Sequence, residues 1–82
     1  MRIHLKTICP EILGSIPSDW YEIDDSLAAG AALRACIAAC DAYVDDDIIN
    51  HLVLMKNGKH ISHDTPLYDG DKLMALRPVY GG

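Results

Sequence analysis

The chain has 82 residues, half of them hydrophobic, and a formal net charge of −5. That length holds one domain, residues 1–82, near the small end of what folds unaided. The acidic balance disfavours nucleic acid, which calls for a basic stripe, and anionic membrane surfaces, but suits a basic patch on a protein partner.

Residues 2–9 alternate, with Ile3, Leu5, Thr7 and Cys9 on one side and Arg2, His4, Lys6 and Ile8 on the other. Period two predicts a half-buried strand, which Pro10 stops. Glu11-Ile12-Leu13-Gly14 can form a single helical turn, and 15–19, with Pro17, is a loop. Trp20 to Leu27 reads as a second strand, with Tyr21, Ile23 and Leu27 facing the core. Gly30 marks a turn, and Ala31 to Asp41 reads as a helix: Leu33, Cys36, Ile37 and Cys40 share one stripe at helical spacing.

Tyr43 to Asn50 reads as an acidic connection carrying Asp45-Asp46-Asp47. The apolar run 52–56 suggests a central strand covered on at least one face. Asn57-Gly58 is a turn signal, since both residues accept positive φ, and Lys59 to Ile61 starts the return strand. Asp64-Thr65-Pro66-Leu67 and Asp69-Gly70-Asp71 are turns around an apolar plug at Leu67. Lys72 to Arg77 is the last strand, weakened at Pro78, which cannot donate to a ladder.

The order β-β-α-β-β-β predicts an α+β fold: a mixed sheet of four to five strands with one main helix on one face. If Leu73 and Ala75 face that helix, Met74 and Leu76 lie on the open face, and clustered apolar surface there marks a partner site. No run approaches the roughly 18 apolar residues of a membrane span, and the first six residues read as strand rather than leader, so the expected location is the cytoplasm. Cys9, Cys36 and Cys40 sit among apolar neighbours and are expected as reduced, buried thiols.

The sequence ends in Gly81-Gly82. Lacking Cβ, such a tail enters a slot too narrow for other residues. Three motifs surround this feature: 53–59 (Val-Leu-Met-Lys-Asn-Gly-Lys), 65–73 (Thr-Pro-Leu-Tyr-Asp-Gly-Asp-Lys-Leu) and 78–82 (Pro-Val-Tyr-Gly-Gly). In this order, and with Leu27 to Leu33 leading into the helix, the chain resembles the ubiquitin-like β-grasp sulfur carriers. These are the MoaD/ThiS family, and the small subunit of molybdopterin synthase is the nearer type. It departs from that pattern at Ala31, where a Thr or Ser usually opens the helix, and at Arg77 and Tyr80.

The resemblance implies a mechanism. An E1-like adenylyltransferase (MoeB- or ThiF-like) would adenylate the Gly82 carboxylate with its own ATP and Mg²⁺. Sulfur from a persulfide would then displace AMP, leaving a thiocarboxylate. That group would serve a sulfur-accepting synthase, MoaE-like in molybdopterin formation or ThiG-like in the thiamine pathway. The chain itself would bind no cofactor and be a carrier, not an enzyme. Gly82 would be the reacting residue and Gly81 would keep the tail slim. Met74, Leu76, Val79 and Tyr80 would meet partners. Val79 to Gly82 reaches at most roughly 14 Å, and Pro78 releases it from the sheet. A ubiquitin-like modifier forming isopeptide bonds, or a β-grasp interaction module with an inert tail, are the other readings.

Other residues carry weaker signals. Cys36 and Cys40 lie on a helix stripe and are expected in the core; three cysteines are too few for an iron–sulfur site. His51, His60, His63 and Asp64 are expected as solvated surface groups, not zinc ligands. The Asp45–Asp47 run lacks the glycine and terminal Glu of a calcium loop. No Walker-type loop and no nucleophile elbow is present.

Overall fold

The computed structural model describes residues 1–8 and 13–78. Among the described residues, five strands and two helices follow in the order β1 (Arg2–Thr7), β2 (Asp19–Glu22), α1 (Ala29–Ala39), α2 (Asp46–His51), β3 (Val53–Lys56), β4 (Lys59–Ile61) and β5 (Lys72–Leu76). They form one mixed sheet in the order β2-β1-β5-β3-β4. β1 and β5 run parallel at its centre, with Leu5 opposite Leu73, and every other pair is antiparallel. This is the expected β-grasp arrangement.

Period two places Ile3, Leu5, Leu54, Leu73 and Ala75 on one face, all at most 1% exposed. α1 covers that face with Ala32, Leu33, Cys36 and Ile37, and Leu13, Ile16, Ile49, Leu52 and Leu67 close its edges. The expected helix stripe holds for Leu33, Cys36 and Ile37, while Cys40 is only half-buried. The expected plug at Leu67 is 1% exposed.

Several boundaries differ from the sequence reading. β2 ends at Glu22 rather than Leu27, because its partner β1 begins at Arg2, opposite Glu22, and the chain then turns at Ser26 (φ 67°); Ile23 and Leu27 still pack on the core. α1 starts at Ala29, so Gly30 lies inside the helix and is not a turn. Its N-cap, Ala28, makes no side-chain cap bond. The loop after β4 replaces the cap: the amides of Ala29 and Gly30 donate to the carbonyls of Thr65 (2.8 Å) and His63 (2.9 Å). Two of the orphan donors at a helix start are thereby satisfied by main chain instead of a Ser or Thr hydroxyl. α1 ends in a Schellman arrangement, with Ala42 N–H on Ile37 C=O, Asp41 N–H on Ala38 C=O, and Asp41 at φ 51°.

The acidic stretch read as a connection contains a helix. The Asp45 side chain accepts from the Asp47 amide at 3.0 Å, and Asp46 and Asp47 lie in the first turn, where the helix dipole favours negative charge. Asn57-Gly58 forms the expected turn, with φ of 51° and 85°. The 69–71 turn is clamped by side chains. Asp69 accepts from the Arg2 amide (2.7 Å) and Asp71 from the Tyr68 amide (2.8 Å). Asn57 joins Asp71 to the Lys72 amide. The expected helical turn at Glu11-Ile12, the placement of Cys9 and Pro10, and the tail 79–82 lie outside the described residues.

Gly30 is close to its neighbour. A Cβ there would meet His63 Nδ1 at 3.0 Å, His63 Cβ at 3.1 Å and the His63 carbonyl at 3.3 Å. Gly30→Ala should therefore destabilise the fold by about 1–3 kcal/mol through overpacking. Adding His63→Ala should recover part of that loss. Denaturant melts of the two single variants and the double variant check this; simple additivity would show that the contact does not limit position 30.

Candidate functional site

The sheet face opposite α1 is the candidate interaction surface. Alternation along β5 puts Met74 and Leu76 there, and the register sets Met74 beside Met55 and Leu76 beside Val53. All four side chains are half-buried. Two neighbouring strands thus supply one apolar patch, of which sequence reasoning named only the β5 half. The signal for Val53 and Met55 was available: in an unbroken apolar run, both faces of the strand are apolar.

Basic groups surround this patch. Lys6 is opposite Met74, His60 is opposite Met55, and Lys72 is opposite His4. At the β2 edge, Trp20 (39% exposed) stacks edge-on with His4 at 5.2 Å, and the Arg2 guanidinium lies 4.9 Å from its ring centroid. The strand residue of opposite charge on this face is Glu22, paired with Arg2. An acidic chain therefore presents a sheet face that carries Arg2, Lys6 and Lys72.

β5 ends at Leu76, in the centre of the sheet, and Arg77 and Pro78 follow it out. Of the residues expected to act, Met74 and Leu76 lie beside this exit. Val79, Tyr80, Gly81 and Gly82 lie outside the described residues.

The other candidates are placed apart. His63 is not a solvated surface group: it is half-buried, its Nε2 donates to the Leu52 carbonyl at 2.8 Å, and its Nδ1 is buried without a hydrogen-bond partner among the described residues. It bridges β3 to the start of α1. His51 bonds the Asp47 carbonyl inside α2, and His60 is on the open face. Among the described residues no three His, Cys, Asp or Glu side chains gather around a metal-sized space. No described helix is long and apolar enough to cross a membrane.

Cys36 and Cys40 are free thiols. The Tyr21 hydroxyl donates to the Pro17 carbonyl at 2.6 Å, so the Cys40 thiol donates to the Tyr21 oxygen at 3.4 Å. Burial raises the Tyr21 phenol, with the Cys40 contact adding to it. Burial first, and the charge of a Cys40 thiolate second, push the Cys36 thiol from 9.0 up to about 12. A raised thiol keeps its full contribution to stability below pH 9 and loses it as pH climbs toward 12. Native protein at mild pH should therefore alkylate at Cys40 well before Cys36. Alkaline melts should lose stability across that window, less steeply in Cys36→Ala. Equal labelling of both thiols, or no alkaline loss, would contradict the burial of Cys36.

Solved structures with this fold include three with informative likeness. SAMP1 from Haloferax volcanii, a small archaeal modifier protein, matches at 23% identity and TM-score 0.69, covering 100% of both chains. The Haloferax volcanii HVO 2177 protein matches at 27% identity and TM-score 0.69, over 100% of this chain and 87% of that one. The complex of subunits 1 and 2 of the molybdopterin-converting factor from Helicobacter pylori contains a chain matching at 24% identity and TM-score 0.60, with 100% of both covered. No protein-family model and no curated protein matches the chain. These neighbours bear out the β-grasp, ubiquitin-like fold read from the sequence.

Proposed function

We propose that the chain is a sulfur carrier protein, with Gly82 as the group that is loaded and molybdopterin formation as the pathway served. One observation carries this reading: the central strand of a β-grasp sheet, β5, contributes to an open-face apolar patch with basic surroundings, and it is the strand that the sequence continues to Gly81-Gly82. The likeness to a chain of the molybdopterin-converting factor complex supports that pathway, and the second subunit of that complex is the type of synthase partner expected. An E1-like enzyme is the other partner.

The division of labour follows from chemistry. A carboxylate becomes a useful electrophile only when its oxygen becomes a good leaving group. The Gly82 carboxylate attacks the α-phosphate of ATP on the activating enzyme, and pyrophosphate leaves. A persulfide sulfur then attacks the acyl carbon, AMP leaves, and a reducing thiol cleaves the remaining S–S bond to free the thiocarboxylate. The activating enzyme supplies the metal and the charge stabilisation. The carrier supplies docking through Met55, Met74, Val53 and Leu76, and a tail without side chains at its last two positions.

A second reading is favoured by the likeness to a small archaeal modifier protein: Gly82 forms an isopeptide bond with a lysine on a target protein. Both routes begin with the adenylate and part at its fate.

Intact mass after incubation with an E1-like enzyme, ATP and a persulfide source separates them. The carrier reading expects the gain of one oxygen exchanged for sulfur, located on Gly82, and abolished by Gly81→Trp without loss of folding. Conjugates on target lysines without that mass gain would replace it with the modifier reading. Met74→Lys or Leu76→Lys should lower affinity for the activating enzyme about tenfold or more, roughly 1.4 kcal/mol, while changing stability by less. A large drop in Tm with unchanged affinity would assign those side chains to the core.

A further inference from the structure

The helix side of the molecule carries a second, oppositely charged surface. A cleft of about 220 Å³ lies between α1 and α2, lined by Arg34, Ile37, Ala38, Ala42, Tyr43, Val44, Asp46 and Ile49. Its floor is apolar core, since Ile37 is 5% and Ile49 is 3% exposed. Tyr43 stands at its rim 87% exposed, the most exposed large hydrophobic side chain among the described residues. An aromatic ring left in water next to an apolar cleft has surface to gain by being covered.

The charge around the cleft is one-sided. Asp41, Asp45, Asp46 and Asp47 fall within seven residues, and all four are exposed. Asp45 also caps α2, which accounts for one carboxylate oxygen only. The one cation lining the cleft, Arg34, is held by Asp46 (3.4 Å) and by the Asn50 side-chain oxygen (2.9 Å). Arg34 and Asp46 offset each other in the lining, and Asp41, Asp45 and Asp47, each next in sequence to a lining residue, add three negative charges beside it, while the sheet face opposite carries Arg2, Lys6 and Lys72.

We infer that this cleft docks a lysine- or arginine-rich segment of another protein, which places one aliphatic side chain over Ile37 and Ile49 and its cations against Asp41, Asp45 and Asp47. Charge complementarity selects such an occupant over an acidic one, since like charges juxtaposed across an interface are costly. The open sheet face of a second copy has related chemistry. Using it would join unlike faces, a head-to-tail contact that does not close and would cover the surface assigned to the activating enzyme. The cleft lies on the other side of the sheet from that surface, so both can be occupied together. The inference stands whether or not Gly82 carries sulfur.

The test uses the full chain, labelled with ¹⁵N, and two synthetic amphipathic peptides, one of Lys and Leu and one of Glu and Leu with the same pattern. Titration with the Lys/Leu peptide should shift the amides of Ala38, Tyr43, Val44 and Ile49. At those amides the Glu/Leu peptide should bind at least about tenfold more weakly, and raising salt should weaken the Lys/Leu shifts there. Ala38→Arg, at an exposed helix position, should cut affinity about tenfold by filling the cleft with a cation. Asp45→Asn with Asp47→Asn should cut it further while retaining a capping side chain. The inference is overturned if the two peptides shift those amides alike, if the Lys/Leu shifts fall on Met55 and Met74, or if Ala38→Arg changes nothing. Sedimentation showing that the protein alone associates through this cleft would also overturn it, since a second copy would then be the occupant.

Discussion

The parallel pairing of β1 with β5 is the constraint from which the rest of the structure follows. Two parallel neighbours cannot be joined by a tight turn, so the chain between Thr7 and Lys72 must cross over one face of the sheet before β5 can lie beside β1. α1 is the main element of that excursion and covers the one face that period two has made apolar. The pairing also puts β5, the last strand, in the middle, with β1 on one side and β3 on the other. A chain that leaves from a central strand has sheet on both sides of its exit. The place where the chain leaves the sheet, at Arg77 and Pro78 after Leu76, is thus a consequence of strand order.

Residues 62–71 brace this arrangement, which changes how the motif at 65–73 is understood. That stretch carries much of the family resemblance, yet each of its contacts is architectural. Thr65 and His63 offer carbonyls to the start of α1, Leu67 fills the core, and the carboxylates of Asp69 and Asp71 hold the turn against β1 and β3. Gly30 belongs to the same brace, because only a residue without Cβ lets the helix approach His63 this closely. The missing hydroxyl at the helix start is a substitution of one cap for another.

The strands were legible because one face of each is buried, so period two survives in residues such as Ile3, Leu5, Leu73 and Ala75. The main helix was legible through Leu33, Cys36 and Ile37. What escaped depended on contacts distant in sequence. The start of α1 is set by carbonyls more than thirty residues away, and the role of His63 by the Leu52 carbonyl. α2 escaped for a local reason: Asp45-Asp46-Asp47 reads as solvated charge until Asp45 is recognised as a cap ahead of Ile49 and Leu52. Half of the open-face patch was legible on β5; the unbroken apolar run 52–56 already signalled a β3 half, and the register that joins Met55 to Met74 brings the two halves together.

On the proposed reading the sheet face and the chain end act as one functional unit, with the helix side separate from it. Photo-crosslinking tests that most directly. A diazirine amino acid is placed at position 55 on the sheet face in one protein and at Ala31, exposed on the helix side, in another, and each is illuminated with the activating enzyme and ATP. The account predicts a crosslinked complex from position 55 and none from position 31. Capture from position 31 with none from position 55 would contradict it, because the loaded end would then be reached from the wrong side of the sheet.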